Sequence, residues 1–134
     1  MTTSPIPILG FVGPSGSGKT SLLEQLIRIF SQMGLRIAVI KHSHHDFEID
    51  RPGKDSYRLH HAGSGQTLLI SKYRSALIRE HRPVTEVSLD QALAGLDLTR
   101  TDLVMVEGFH HADSLPQIEL HRPVLGKPLL YPRQ

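Results

Sequence analysis

The residues best suited to chemistry lie near the start of the chain, in the octet Gly13-Pro-Ser-Gly-Ser-Gly18-Lys19-Thr20. The spacing is G-x-x-x-x-G-K-[ST], in which each position has a physical task on a triphosphate. Gly13, Gly16 and Gly18 let the backbone turn tightly and approach phosphate oxygens, so that successive N–H groups point at them. Lys19 supplies a positive charge with the reach to touch the outer phosphates, and the Thr20 hydroxyl suits Mg²⁺. A helix starting here would add its positive dipole end to the same anion site. Ser15, Ser17 and Ser21 complete the expected binding set. The pattern points to a nucleoside triphosphate held with magnesium.

A bare match of this kind can be an ordinary glycine-rich turn, so the flanking elements decide. Upstream, Ile8, Leu9, Phe11 and Val12 form a near-continuous apolar run, as in a parallel strand covered on both faces. Downstream, Leu22, Leu23, Leu26, Ile27, Phe30 and Met33 recur at helical spacing, and Gly34 stands where a C-terminal cap belongs. Farther on, residues 35–40 read as a second strand and 54–62 as a short helix ended by Gly63. Residues 66–71 and 75–80 read as a hairpin. Ser88 and Gln91 have capping-box spacing, opening a helix whose Leu89, Ala92, Leu93 and Leu96 face inward. Residues 102–108 read as a buried parallel strand and 117–121 as a more exposed one. Strands alternating with helices predict one α/β domain over residues 1–134, a P-loop nucleotide-binding fold with a mostly parallel sheet flanked by helices.

A phosphate loop of this type needs an acid at the end of a neighbouring strand to hold the metal's water shell. Asp102 and Glu107 both flank the apolar run Leu103-Val-Met-Val106. Strand rise separates them: five residues at about 3.3 Å each place them roughly 16 Å apart, at opposite ends. Ligands of open α/β sheets bind at the carboxyl ends of strands, which selects Glu107 as metal partner and the one catalytic candidate. Asp102 then starts the strand or caps a turn. Gly108, directly behind Glu107, would let backbone approach the γ-phosphate.

The segment following the second strand should also lie near the nucleotide. It carries His42, His44, His45, Asp46, Asp50, Lys54 and Asp55. Zinc or nickel would suit the His and Asp groups; a switch-like loop would instead bring Asp50 or Asp55 near Mg²⁺; a plain solvated loop would do neither. Lys54 opens a predicted helix, where a cation is unfavourable unless an anion lies nearby; a phosphate or anionic partner there and a plain surface lysine are both open readings.

Composition narrows the classes. The 134 residues include no cysteine, which excludes disulfides and thiol-based zinc or redox sites. The net charge is only +2, and neither end carries a basic run, so nucleic acid is not an expected partner. No apolar segment approaches membrane-spanning length, and Met-Thr-Thr-Ser-Pro lacks the features of an export signal, so a cytoplasmic protein is expected.

Beyond these general features, Lys41-His-Ser-His-His-Asp-Phe-Glu-Ile-Asp-Arg-Pro-Gly-Lys-Asp-Ser-Tyr57, Ala62-Gly63 and Asp102-Leu-Val-Met-Val-Glu-Gly-Phe109 together resemble the MobB family. The resemblance runs from about Ile8 to about Leu120. It implies a dimeric P-loop protein that binds GTP with Mg²⁺, hydrolyses it slowly, and assists the molybdopterin guanylyltransferase MobA in attaching GMP to molybdopterin. On it, Gly13 to Thr20 would hold the phosphates with Thr20 on the metal, Glu107 and Gly108 would form the acidic strand end beside them, and Asp50, Lys54 and Asp55 would be polar groups on the nucleotide or the partner side. With the switch-like reading, Thr20, Glu107 and Asp50 are the metal candidates and Lys54 joins the nucleotide set. The family pattern also implies one more strand and helix beyond Tyr131-Pro-Arg-Gln134. No Asn/Thr-Lys-x-Asp guanine motif occurs, so GTP over ATP follows from the resemblance alone. Two other readings of the same residues stay open: a small-molecule kinase or ligase, and a metallochaperone GTPase using the 42–46 loop.

Overall fold

The computed structural model describes residues 6–14, 16–43, 47–49, 54–109 and 115–129. The chain divides into two compact units, Met1–Ser43 with Val87–Gln134, and His44–Glu86.

The first unit is a four-stranded sheet with β1 (Ile8–Val12), β2 (Ile37–Lys41), β5 (Leu103–Glu107) and β6 (Gln117–Glu119), in the order β2-β5-β1-β6. All pairings are parallel. β5 lies between β2, in register from Ile37↔Leu103 to Lys41↔Glu107, and β1, from Ile8↔Val104 to Phe11↔Glu107. Helix α1 (Lys19–Gln32) covers one face and α3 (Leu89–Ala94) the other. This is the α/β sheet flanked by helices that the alternating elements predict.

Period-two alternation along β5 explains both cores. Val104 and Val106 turn toward Leu89 and Leu93 of α3, while Met105 turns toward Leu23 of α1 and Phe11 of β1. Phe11, Val104, Met105 and Val106 are completely buried. On the α3 side of β1, Ile8 packs against that core and Leu115 packs over the bare backbone of Gly10.

Local signals set the helix ends. Gly34, at φ +87°, closes α1: its N–H reaches the Ser31 carbonyl (3.0 Å), and that of Leu35 reaches Phe30 (3.0 Å). These two bonds form a Schellman cap, which needs a left-handed residue at this position. At α3, the Ser88 hydroxyl accepts from Gln91 N (3.1 Å) and the Gln91 side chain accepts from Ser88 N (2.9 Å).

Asp102 has a different task from Glu107. Its carboxylate accepts from Arg36 N (2.7 Å), Nε (3.1 Å) and Nη2 (3.1 Å), while Asp102 N donates to the Arg36 carbonyl (2.7 Å). The amino end of β5 is thereby fastened to the start of β2.

The second unit holds α2 (Asp55–His61) and an antiparallel hairpin of β3 (Gln66–Ile70) and β4 (Ser75–Arg79), in register from Gln66↔Arg79 to Ile70↔Ser75. Leu59, Leu68 and Ile70 are 60–73% exposed.

Two outcomes test this architecture. Phe11→Ala should lower unfolding stability in urea by about 3–5 kcal/mol, the range for a buried aromatic; a loss under about 1 kcal/mol would place Phe11 outside the core. The Arg36 side chain, and then its backbone N–H, hold the Asp102 carboxyl below its usual range. A depressed carboxyl stabilises above its unfolded pKa, and that contribution disappears as pH falls through the lower folded value. Thermal melts of wild type and Asp102→Asn should therefore differ most above about pH 4 and converge in acid. A gap independent of pH would contradict the ion pair's role.

Candidate functional site

Between β1 and α1 the backbone takes the turn that the glycines permit. Gly13, Gly16 and Gly18 have φ of +151°, +80° and +100°. A Cβ on Gly13 would lie 2.7 Å from the Leu120 carbonyl oxygen and 2.9 Å from Ser17 Oγ, so the strand-end approach itself excludes a side chain. Gly18, left-handed, occupies the N-cap of α1; among the described residues no side-chain hydrogen bond caps the helix, and no acid stands in its first turn. The first N–H groups of α1 have no intrahelical partner and face the loop with the positive end of the helix dipole. Lys19 Nζ donates to the Gly13 carbonyl, drawing the ammonium across the loop.

Ser17 gives a direct measure of whether this loop suits an anion. Its Oγ is buried and has no hydrogen-bond partner among the described residues. Such a hydroxyl costs about 1–3 kcal/mol unless something accepts or donates. A phosphate oxygen is a strong acceptor for it, so the residues present fit the group.

Strand alternation places the acid. Leu103 and Met105 face α1, so Glu107 does too, on the side where α1 begins with Lys19 and Thr20. Thr20, Glu107 and Lys41 line one cavity of about 600 Å³, closed below by Leu23, Ile27 and Val39. Lys41, in register with Glu107, brings Nζ to 3.9 Å from its carboxylate. Thr20 and Glu107 offer hard oxygen donors, the type Mg²⁺ prefers.

Gly108 has a closer neighbour than any phosphate. A Cβ there would sit 2.9 Å from His42 Cβ and 3.1 Å from its carbonyl oxygen. His42 N donates to the Glu107 carbonyl (2.9 Å), Gly108 N donates to that of Phe11 (3.2 Å), and the His42 ring stacks on Phe109 at 4.3 Å. The carboxyl ends of β2, β5 and β1 are thus laced together around Glu107, and His42 is engaged in that packing.

Sequence reasoning missed Arg122. Its Nη1 donates to the Gly16 carbonyl (3.1 Å), bringing a guanidinium to the loop from 106 residues away. The usable signal was its place just past the carboxyl end of a strand, the edge from which ligands are bound. Ser21 is exposed on the first turn of α1. Lys54 caps the start of α2 in the second unit, with Asp55 next to it. Ser15, Asp50 and the 44–46 stretch lie outside the described residues.

Comparison with known proteins places the chain among its relatives. The family model MobB, "Molybdopterin guanine dinucleotide synthesis protein B", matches residues 8–134. The molybdopterin-guanine dinucleotide biosynthesis adapter protein of Haemophilus influenzae is 48% identical over 124 residues, 92% of this chain and 68% of that protein. The corresponding Escherichia coli protein is 43% identical over 121 residues, 90% of this chain and 69% of its own length. A crystal structure of Bacillus subtilis MobB superposes with a TM-score of 0.71 at 26% identity, covering 90% of this chain and 72% of that one. The MobB homologue of Bacillus stearothermophilus gives 0.64 at 26% identity, with 86% of this chain and 63% of that one covered. The chain thus spans roughly two thirds of the length of these relatives. With the match running over nearly its whole length, this chain belongs to the MobB family of molybdopterin-guanine dinucleotide biosynthesis adapter proteins.

Proposed function

We propose that this chain is a GTP-binding adapter in molybdenum cofactor maturation, one that assists a MobA-like guanylyltransferase in attaching GMP to molybdopterin. The observation that carries the nucleotide reading is the shared cavity of Thr20 and Glu107 beside the Lys19 loop. The adapter role rests on the names of the relatives, and the choice of GTP on the family resemblance.

In this reading the first N–H groups of α1 and the Ser17 hydroxyl hold phosphate oxygens, and Lys19 leaves the Gly13 carbonyl to reach the outer phosphates. Thr20 and Glu107 hold Mg²⁺, which supplies counter-charge to the phosphates. Lys41 balances Glu107, and Arg122 fixes the Gly16 carbonyl outward of the phosphates. Gln117, the described glutamine of the sheet, spends its side-chain amide on the Phe109 carbonyl (3.3 Å). Among the described residues no group of this set is placed to orient an attacking water, which supports slow hydrolysis. Exposed Leu59, Leu68 and Ile70 support a homodimer. Among the described residues no helix is long and apolar enough to cross a membrane, and the protein is proposed to work in the cytoplasm.

Titrating GTP and ATP with Mg²⁺ should give tighter binding of GTP, with Lys19→Ala weakening it about 10- to 150-fold, the worth of one charged hydrogen bond. Binding of neither nucleotide by the wild type, or of ATP alone, would end the proposal. Arg122→Ala should weaken GTP about 2- to 10-fold without moving the thermal melt. Added to the transferase with molybdopterin, the wild type should raise GMP attachment and Lys19→Ala should not. Equal effects of the two proteins would separate the adapter role from the nucleotide. Sedimentation should show a dimer; a monomer at micromolar concentration would remove that part.

A further inference from the structure

The geometry points to a transition-metal site in the second unit, formed by Glu48, His60 and His61, with Zn²⁺ as the ion of choice. One ligand atom from each lies within 4.8 Å of the other two. His61 Nε2 is already 3.1 Å from Glu48 Oε1, close to the separation of about 3.3 Å between donors around a tetrahedral zinc.

Two histidines at the end of a helix have a plain alternative task, to sit in solvent and offset the helix dipole. His60 does not fit that description. Its side chain is only 13% exposed, and its Nε2 meets Glu80 Oε1 at 2.7 Å. Nε2 is thus the nitrogen that donates, and Nδ1 keeps a lone pair. That Nδ1 is buried and has no hydrogen-bond partner among the described residues. A histidine whose one nitrogen donates to a carboxylate while the other points a bare lone pair is the arrangement that orients metal-binding imidazoles.

The remaining two ligands are placed to adjust. Glu48 and His61 are 48% and 44% exposed, so their side chains can close the remaining distance around a fixed His60. Two imidazoles and a carboxylate, with no thiolate in the chain, suit Zn²⁺ and its neighbours and disfavour Mg²⁺ and Ca²⁺, which take oxygen shells. Three protein ligands leave a fourth position for water or for a donor from a partner. The ion would join residue 48 to the end of α2 and, through His60, to Glu80, which follows β4 and whose N–H donates to the Gly65 carbonyl (2.9 Å). The inference uses none of the residues of the phosphate loop and stands whether or not GTP is the nucleotide.

Equilibrium dialysis of the full chain against Zn²⁺ alone, without nucleotide, is the test. One ion per chain is expected. Glu48→Gln and His60→Gln should each weaken it at least 100-fold, and Glu80→Gln about 10- to 100-fold as the partner of a ligand. His121→Gln and Lys19→Ala should bind like wild type. Cobalt substituted into the wild type should show the intense visible bands of a four-coordinate ion, lost in Glu48→Gln. Because Glu48 is exposed, that variant keeps the test sharp even if His60→Gln fails to fold. Equal zinc binding by Glu48→Gln and wild type would overturn the proposal. So would wild-type binding by His60→Gln together with loss in His44→Ala/His45→Ala.

Discussion

Strand β5 is hydrogen-bonded along both edges and covered on both faces, and everything at the proposed phosphate site takes its position from that fact. Its three central residues have no contact with solvent, so water cannot replace the ladder bonds to β1 and β2. With all partners parallel, the carboxyl ends of β2, β5 and β1 finish side by side. The loop after β1 and the acid that ends β5 are then neighbours without any direct bond between them. The Arg36–Asp102 pair works at the opposite end, where it holds the same register from below.

Charge at the site is unevenly shared. Lys41 stands 3.9 Å from Glu107, Lys19 and Arg122 are engaged with backbone carbonyls of the loop itself, and Glu24 and Arg28, which line the same cavity, pair with each other at 3.4 Å. Such an arrangement attracts an anion strongly and keeps its own donors ordered while doing so. The His60–Glu80 pair of the second unit follows a different logic: a carboxylate fixes one ring nitrogen and leaves the other for the proposed metal.

Elements whose cause is local were readable from residues alone. The Schellman glycine at Gly34, the Ser88–Gln91 box, the hairpin and the apolar β5 run each announce themselves within a few positions, and boundaries moved by only a residue or two. Glu107 was selectable over Asp102 because strand length and polarity suffice to place it. What the pattern did not carry is pairing across the sheet order. Arg122 meets Gly16, Asp102 meets Arg36 and Gly108 meets His42 only because β5 inserts between β1 and β2 and β6 joins the far edge of β1. Periodicity reports which face a residue takes, not which strand stands next to it. The partner of His60 was hidden for the same reason, twenty residues away and just past the end of β4.

The two glycines that flank the site, Gly13 and Gly108, are each required by a protein neighbour: the Leu120 backbone for one and His42 for the other. Motif reading assigns both to the ligand. Because neighbouring strand ends already crowd them, the curvature of the loop is a property of the folded sheet and exists before any phosphate arrives. The entropy of ordering the loop is then lost at folding rather than at binding. Preorganisation of this kind lowers the ordering cost that any ligand of the loop would otherwise meet.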